Sequence, residues 1–272
     1  MRCTQRLSVI AVVVSGAVLS AGQRVEGASI YLNIPSIAGE DPTPGYPGAI
    51  AVNPLDVTPH DFSIKKSVDK STPKIQAAVV GGTPLGTVSA LFYNSPPAGP
   101  PDAILPFANV LASSQVIGPG LTETDGFAAT TPDSIYLAVS GITGESSTPG
   151  HPGVMRIDSL DLSGNTFTVG RPSDSATPQV ASAVVLGTHH TASLLFYNSA
   201  PSGPPDSELD FQDVIASSYT PVSSGDLPRE LDSFNFSSLS QPTPEPGSIV
   251  LALIGTALLM LRCARRRWAT TR

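Results

Sequence analysis

Cysteine is almost absent from this chain of 272 residues, because it occurs only at Cys3 and Cys263, near the two ends. The segment between them therefore has no disulfide and no thiolate nucleophile or metal ligand. Cations are also scarce there, since residues 28–243 contain 20 Asp and Glu against seven Lys and Arg, a net charge of −13. Nucleic acid is thereby excluded as a partner, because its binding needs a positively charged surface.

What the chain does contain is a duplication. The sequence Leu-Phe-Tyr-Asn-Ser, followed by Pro-Pro-Asp, occupies residues 91–102 and returns at residues 195–206. At an offset of 105, Ile30-Tyr31-Leu32 also matches Ile135-Tyr136-Leu137. A solenoid repeat is shorter, with roughly 20 to 50 residues. The offset therefore indicates tandem duplication of a small domain.

Residues 1–28 have the pattern of a secretory signal peptide. Arg2 and Arg6 precede an apolar run, and small residues follow at positions 20–22. The apolar core is shorter than the roughly 20 residues that a membrane helix needs. We expect export and removal of this segment, with the cleavage position left open.

Residues 243–272 have three ordered features: the tripeptide Pro244-Glu245-Pro246, an apolar segment at 249–261, and a basic cluster with Arg265, Arg266 and Arg267. The last two predict a short transmembrane helix whose basic end stays in the cytoplasm, so that the body faces outward.

These three features resemble the PEP-CTERM sorting signal of bacteria that carry exosortases. The resemblance implies that an exosortase-type enzyme removes or exchanges the tail, which leaves the body in the cell envelope, at the surface or outside the cell. Thr243 stands where that family often has Val. A plain tail anchor is the alternative, and it gives the same topology.

Between the two ends we assign the first domain to residues 29–118 and the second to residues 134–222. Residues 119–133 are rich in small, polar and turn-forming types, which predicts a flexible linker. Residues 223–242 are similar in composition, and we interpret them as a stalk.

Each copy has the pattern of a mainly β domain. Ile30 and Leu32 alternate with Tyr31 and Asn33, which predicts a strand with one buried face. Later segments are short, rich in β-branched and aromatic residues, and separated by Pro and Gly, as is typical of sandwiches and barrels.

One short helix interrupts the strands of each copy. In the first copy Thr72 is a candidate cap, Pro73 suits the first helical position, and glycine at 81–82 ends the run. The second copy repeats this pattern with Thr177, Pro178 and Gly187.

The order of these parts resembles Hcp, the tube protein of type VI secretion systems. The matching features are the opening Ile-Tyr-Leu strand, Gly39-Glu40, Asp69 before Thr72-Pro73, and a closing strand with Phe107. The resemblance implies two tandem small closed β-barrels, each with one helix. It also implies assembly into six-membered rings that bind other proteins, so that three chains would supply six domains. The signal peptide and membrane tail depart from that family.

Candidates for chemistry are few. The histidines have no histidine partner in the other copy, which favours surface positions and leaves metal binding by His189-His190 as the alternative. They are His60, His151, His189 and His190. Asp206, Glu208, Asp210 and Asp213 form a solvated strand edge or, alternatively, a calcium site.

Two acidic positions do recur in both copies, as Glu40 with Glu145 and Asp69 with Asp174. They fit a general acid and a general base of a catalytic site. Alternatively, one lies in a turn and the other is a carboxylate stabilised near the start of a helix.

The repeated loops are candidates for recognition, because loops on rigid β scaffolds often bind partners. The alternative is a half-buried tyrosine followed by a stiff proline connection. The candidate interaction residues are Tyr93, Asn94, Asp102, Tyr197, Asn198 and Asp206.

No serine nucleophile elbow, phosphate-binding glycine loop or zinc-type spacing is present. We therefore expect no enzyme activity, cofactor or metal. The expected role is structural or adhesive, through self-association or binding of another exported macromolecule. A carbohydrate- or matrix-binding module and a metal-dependent hydrolase are the alternatives.

Overall fold

The structure is a computed structural model, and it describes residues 28–43, 46–95, 97, 99–149, 151–222 and 228–242. We call residues 28–133 repeat 1 and residues 134–242 repeat 2. The prediction of a mainly β chain with one short helix per copy is confirmed.

Repeat 1 contains eight strands and one helix, and repeat 2 follows the same order with one additional strand. The elements of repeat 1 are β1 (Ser29–Asn33), β2 (Asp41–Thr43), β3 (Tyr46–Val52), β4 (Leu55–Thr58), β5 (Asp61–Ser67), α1 (Thr72–Gly81), β6 (Pro84–Tyr93), β7 (Ala103–Ile117) and β8 (Thr122–Ala128). The elements of repeat 2 are β9 (Ser134–Val139), β10 (Ser146–Thr148), β11 (His151–Ile157), β12 (Ser159–Ser163), β13 (Thr166–Pro172), α2 (Thr177–Leu186), β14 (His189–Tyr197), β15 (Ser207–Val222), β16 (Arg229–Asn235) and β17 (Ser238–Ser240).

In each repeat the strands pair in an order that curls round, so that strands at the two ends of the order come close to each other. In repeat 1 the antiparallel order is β3–β1–β6–β7–β8–β5–β4. Asn53, just after β3, then donates its amide to the Lys65 carbonyl on β5 at 2.8 Å. In repeat 2 the corresponding bond runs from Asp158 to Gly170, also at 2.8 Å. All 17 strands nevertheless belong to one hydrogen-bonded set, so two separate barrels stay a prediction.

Stacked phenylalanines fill the interior of both repeats. In repeat 1 the ring of Phe62 lies 4.2 Å from that of Phe107 and 4.7 Å from that of Phe127. Phe167, Phe211 and Phe234 occupy the same places in repeat 2. Because β8 and β16 each supply one of these rings, they are part of the core.

The predicted flexible linker and stalk are therefore wrong where these strands lie. β8 falls within 119–133 and pairs with β5 and β7, while β16 falls within 223–242 and pairs with β13 and β15. Their composition is polar because the inward-facing side chains of each strand include two acids. A strand with buried charges does not show the usual apolar alternation.

The helices begin and end close to their predicted positions. Thr72 is the first residue of α1 and not its cap, because its hydroxyl accepts a bond from the Asp69 amide at 3.0 Å. Gly82 ends α1 in the left-handed region, with φ of 56°, and Gly187 ends α2 with φ of 60°. Glycine suits both positions because it lacks a Cβ.

The repeats join through antiparallel pairing of β4 with β12, which we call the junction. Asp56 lies opposite Asp161, and these two are equivalent at the offset of 105. The junction therefore has an approximate two-fold axis at this pair.

The turns beside the junction, at His60 between β4 and β5 and at Asn165 between β12 and β13, follow the same two-fold relation. His60 contacts Asp133 at 3.4 Å, and its equivalent Asn165 accepts a bond from the amide of Ala28 at 2.6 Å. Ala28 and Asp133 are themselves equivalent at the offset of 105. Equivalent positions of the two repeats thus meet on both sides of the junction, although the atoms in contact differ.

The predicted signal peptide and the C-terminal transmembrane segment lie outside the described residues, apart from Ala28. Among the helices that the structure does describe, none is long and apolar enough to cross a membrane.

We expect a chain that stops after Val222 to lose the cooperative unfolding of repeat 2, because it lacks β16 and its buried phenylalanine. A chain that stops after Pro242 is the matched control and should melt as one folded body. Thermal melts followed by circular dichroism test this expectation, and equal melting of the two chains would contradict it. In the full chain, Phe234→Ala should cost roughly 3–5 kcal/mol.

Candidate functional site

The recurring charged residues of the interior form one cluster in each repeat. The first charge cluster is Lys66, Asp69, Glu123 and Asp125, and the second charge cluster is Arg171, Asp174, Glu230 and Asp232. Each gathers a cation from the strand before the helix, an acid at the helix start, and two acids from β8 or β16.

In the first charge cluster Lys66 is the central group. Its Nζ lies 2.7 Å from Asp69 Oδ1 and also contacts Glu123 Oε1. Asp125 is fully buried, and no cation of the described chain forms an ion pair with it. Its polar neighbours are the side chains of Gln115 and Glu123. Lys66 thus leaves the buried carboxyl of Asp125 without an ion pair.

In the second charge cluster the guanidinium of Arg171 reaches all three acids. Its Nε donates to Asp232 at 2.7 Å, one terminal nitrogen donates to Asp174 at 2.6 Å, and the other contacts Glu230. Arg171 has 0% of its surface exposed. A planar fork of donors suits several carboxylates better than a single ammonium does.

These environments change the protonation of the acids. Burial raises the pKa of Asp125 to about 7, and the charge of Glu123 adds to this effect. Burial also raises the pKa of Asp232, to about 6, although Arg171 acts in the opposite direction. Burial alone would raise the pKa of Asp69, but hydrogen bonds from Lys66 and Ser71 hold it below its usual value.

The clusters connect the start of each helix to the sheet through the hydrogen bonds and ion pairs of Asp69 and Asp174. Asp69 Oδ1 accepts the Ser71 amide at 2.9 Å, and Asp174 Oδ1 accepts the Ala176 amide at 2.9 Å. A carboxylate near a helix N-terminus is stabilised there by the unpaired amides. Since the cation and the two strand acids of each cluster are buried, this arrangement can hold a proton and position the helix, but a substrate cannot reach it.

Sequence reasoning singled out only Asp69 and Asp174 among these eight residues. The four strand acids were missed because they lie in the predicted linker and stalk. The signal was present as Glu-x-Asp-x-Phe, which occurs at 123–127 and again at 230–234. At this point the offset between the copies is 107. Arg171 occupies the place of Lys66 at the offset of 105.

The recurring Glu40 and Glu145 belong to the same region but do not form an acid–base pair with the aspartates. Glu40 accepts the Lys70 amide at 3.2 Å, and Glu145 accepts the Ser175 amide at 3.1 Å. Both glutamates and both aspartates are thus engaged with the turn that precedes each helix.

The predicted interaction loops are closed by their own aspartates. Asp102 accepts the Asn94 amide and Asp206 accepts the Asn198 amide, each at 2.8 Å. The tyrosines of both loops, Tyr93 and Tyr197, are each 2% exposed.

The tyrosine rings pack internally. Tyr93 meets Tyr31 edge to face at 5.6 Å, and Tyr197 meets Tyr136 in the same way at 5.7 Å. The side chain of Asn94 exchanges two 2.7 Å hydrogen bonds with the Leu239 backbone of repeat 2. These groups therefore support the fold, and neither tyrosine is accessible to a ligand.

The remaining candidates do not converge on one site. His189 contacts Asp213, while His190 bonds the Ser140 carbonyl at 2.6 Å and the Thr188 hydroxyl at 2.8 Å. Within the described residues no group of three or more His, Cys, Asp or Glu side chains is arranged to hold a metal ion. The sorting tripeptide Pro244-Glu245-Pro246 and the basic residues Arg265, Arg266 and Arg267 lie outside the described residues.

No protein-family model matches the chain, and no curated protein matches it. Solved structures similar to part of it include Hcp1 from Salmonella typhimurium, with 25% identity over 39% of this chain and 82% of that chain, at a TM-score of 0.36. Hcp2 from the same organism matches with 24% identity over 40% and 84%, at 0.35. A type VI secretion system effector from Yersinia pestis matches with 22% identity over 39% and 87%, at 0.35.

We expect Asp125→Asn to flatten the pH dependence of stability. The folded-state pKa of Asp125, about 7, lies above the ordinary 3.8, so its proton stabilises the fold at low pH. This contribution is lost as pH rises from about 4 through about 7. Thermal melts at pH 5 and pH 8 give the change in the free energy of unfolding between the two pH values. This change should be smaller in the variant than in the unaltered chain by roughly 2–4 kcal/mol.

The exposed Asp61 supplies the control, since Asp61→Asn removes one charge without touching the cluster. Lys66→Arg should shift the first charge cluster towards the behaviour of the second and raise stability at pH 8. An unchanged difference between pH 5 and pH 8 in Asp125→Asn would contradict the assigned protonation.

Proposed function

We propose that this chain is an exported, non-enzymatic structural or interaction protein, built from two Hcp-like β-barrels and held at the cell envelope through its C-terminal sorting signal. The proposal combines the sequence motifs at both ends with the duplicated architecture between them.

The observation that carries the non-enzymatic role is the pair of buried charge clusters. A site that came with the duplicated fold should recur in both repeats. The recurring charged groups that gather in one place in each repeat are a buried cation, its acids and the glutamate that accepts a bond from the turn before the helix. They stabilise the fold, and none of the buried members offers an accessible nucleophile or base.

The Hcp-like assignment rests on where the motif residues lie. Asp69 and Thr72-Pro73 form the helix start, Gly39-Glu40 packs beside it, and Phe107 lies in the core. Gly39 is required for this packing, because a Cβ there would stand 2.4 Å from the Ala49 carbonyl oxygen. The same holds for Gly144 beside Val154, also at 2.4 Å.

Assembly into rings needs more than the contact seen within one chain. A ring of six equivalent domains uses head-to-tail contacts, in which different surfaces meet. The junction is instead two-fold, since Asp56 faces its own equivalent, Asp161. Three chains would therefore need a second kind of contact to close a ring. We propose that the body works as a single two-repeat unit that binds another exported macromolecule.

The mass of the body in solution tests this proposal. We expect residues 28–242 to have the mass of one chain by light scattering, because the described edge strands are short and unsuited to open-ended pairing. Those edges are β2, β10 and β17, with three residues each. A mass of three chains would contradict the single unit and favour the six-domain ring.

Processing of the tail tests the sorting signal. In cells that carry an exosortase, intact-mass spectrometry of the mature chain should show loss of residues beyond the tripeptide. Replacement of Pro244, Glu245 and Pro246 by alanine should retain the tail, whereas Thr243→Ala should not. Retention of the tail in the unaltered chain would contradict processing and favour a plain membrane anchor.

A further inference from the structure

Two carboxylates face each other at the centre of the junction. Asp56 on β4 and Asp161 on β12 are directly opposite in the antiparallel register. Such positions bring Cβ atoms to roughly 4.5–5.5 Å, and like charges there destabilise the pairing. The contact that joins the two repeats thus places two acids where a sheet tolerates them least.

The groups that surround this pair do not neutralise it. On β5, Ser63 lies opposite Asp56 and donates to its Oδ2 at 3.3 Å. On β13, Thr168 lies opposite Asp161, but the Thr168 hydroxyl is bonded to Ser233 at 2.9 Å. Within the described chain, Oδ1 of Asp161 is buried without a hydrogen-bond partner.

Charged side chains near the pair are few. Asp61 and Lys65 stand on β5 two residues to either side of Ser63, so Lys65 is a diagonal neighbour and not directly opposite. The flanking positions on β4, β12 and β13 are uncharged: Thr58, Ser159, Ser163, Thr166 and Gly170. Burial raises the pKa of both carboxyls, and the charge of Asp56 raises that of Asp161 further.

We propose that Asp56 and Asp161 share one proton across the junction, and that its release to solvent loosens the pairing of β4 with β12. The protonated carboxyl donates to the ionised one, which satisfies the buried oxygen of Asp161 and removes the repulsion. When the proton leaves, two negative charges remain on opposite strands of different repeats. The pairing of β4 with β12 is thus a pH-sensitive contact between the two repeats.

The direction of the effect follows from the raised pKa values. Both folded-state values lie above the ordinary 3.8, so the proton stabilises the junction at low pH, and this contribution is lost as pH rises through them. Loosening leaves β4 and β12 with unpaired backbone groups, as in an edge strand.

Hydrogen exchange of the full chain in detergent solution tests the proposal. Amides at 55–57 and 160–162 are followed at pH 5, 6.5 and 8, with each rate divided by its intrinsic value. We expect their protection to fall by about tenfold as pH rises, because the ionised pair repels across the two strands. The double variant with Asp56→Asn and Asp161→Asn should keep constant protection, because two amides can bond without a titrating proton.

Lys74→Gln on the exposed face of α1 is the control, since it changes one charge on an element that does not pair with β4 or β12, and it should keep the pH dependence of the unaltered chain. Protection that is independent of pH in the unaltered chain, or that still varies in the double variant, overturns the proposal. Carboxyl carbon NMR of the unaltered chain gives a second readout that needs no variant. Two coupled titration steps above the ordinary range support a shared proton, and two independent titrations near 3.8 overturn it.

Discussion

The buried cation of each repeat is the constraint on which the rest of its architecture depends. Lys66 and Arg171 project into the interior from the strand before the helix, where a lone charge would cost several kcal/mol. Each is matched by acids from the helix start and from β8 or β16. The ion pairs therefore hold the strand before the helix and the helix start against a strand that lies more than 50 residues further along the chain. Removal of β8 or β16 would leave the cation of that repeat with only the aspartate at the helix start as an ion-pair partner.

This dependence explains which parts of the fold could be predicted from the sequence. Strands such as β1, with alternating Ile30 and Leu32, and helices bounded by Pro73 and Gly82 follow local rules and were predicted correctly. β8 and β16 were missed, since Glu123 and Asp125 occupy inward positions that periodicity assigns to apolar residues. Their pairing with Lys66 is a long-range property that no local pattern shows. The repeated loops were conspicuous in sequence, yet Tyr93 and Tyr197 are buried.

In both repeats a buried cation lies among three acids, but the cation of repeat 2 contacts more of them than the cation of repeat 1. Arg171 contacts all three acids of its cluster, whereas Lys66 leaves Asp125 to take up a proton. The acids are of the same types in both clusters, whereas the cation is lysine in one repeat and arginine in the other. What the copies share is therefore an arrangement of charge, and the side chain that supplies the positive charge is free to vary within it.

The junction adds a constraint that neither repeat has alone. An edge strand must be covered or paired, and β4 and β12 cover each other. A two-fold contact between equivalent surfaces closes after two members, whereas a head-to-tail contact can continue into a ring or a filament. Fusion of two copies in one chain, with β4 already paired to β12, thus favours a closed unit over a growing polymer. The exposed surfaces that remain outside the junction are then the places where a partner would have to bind.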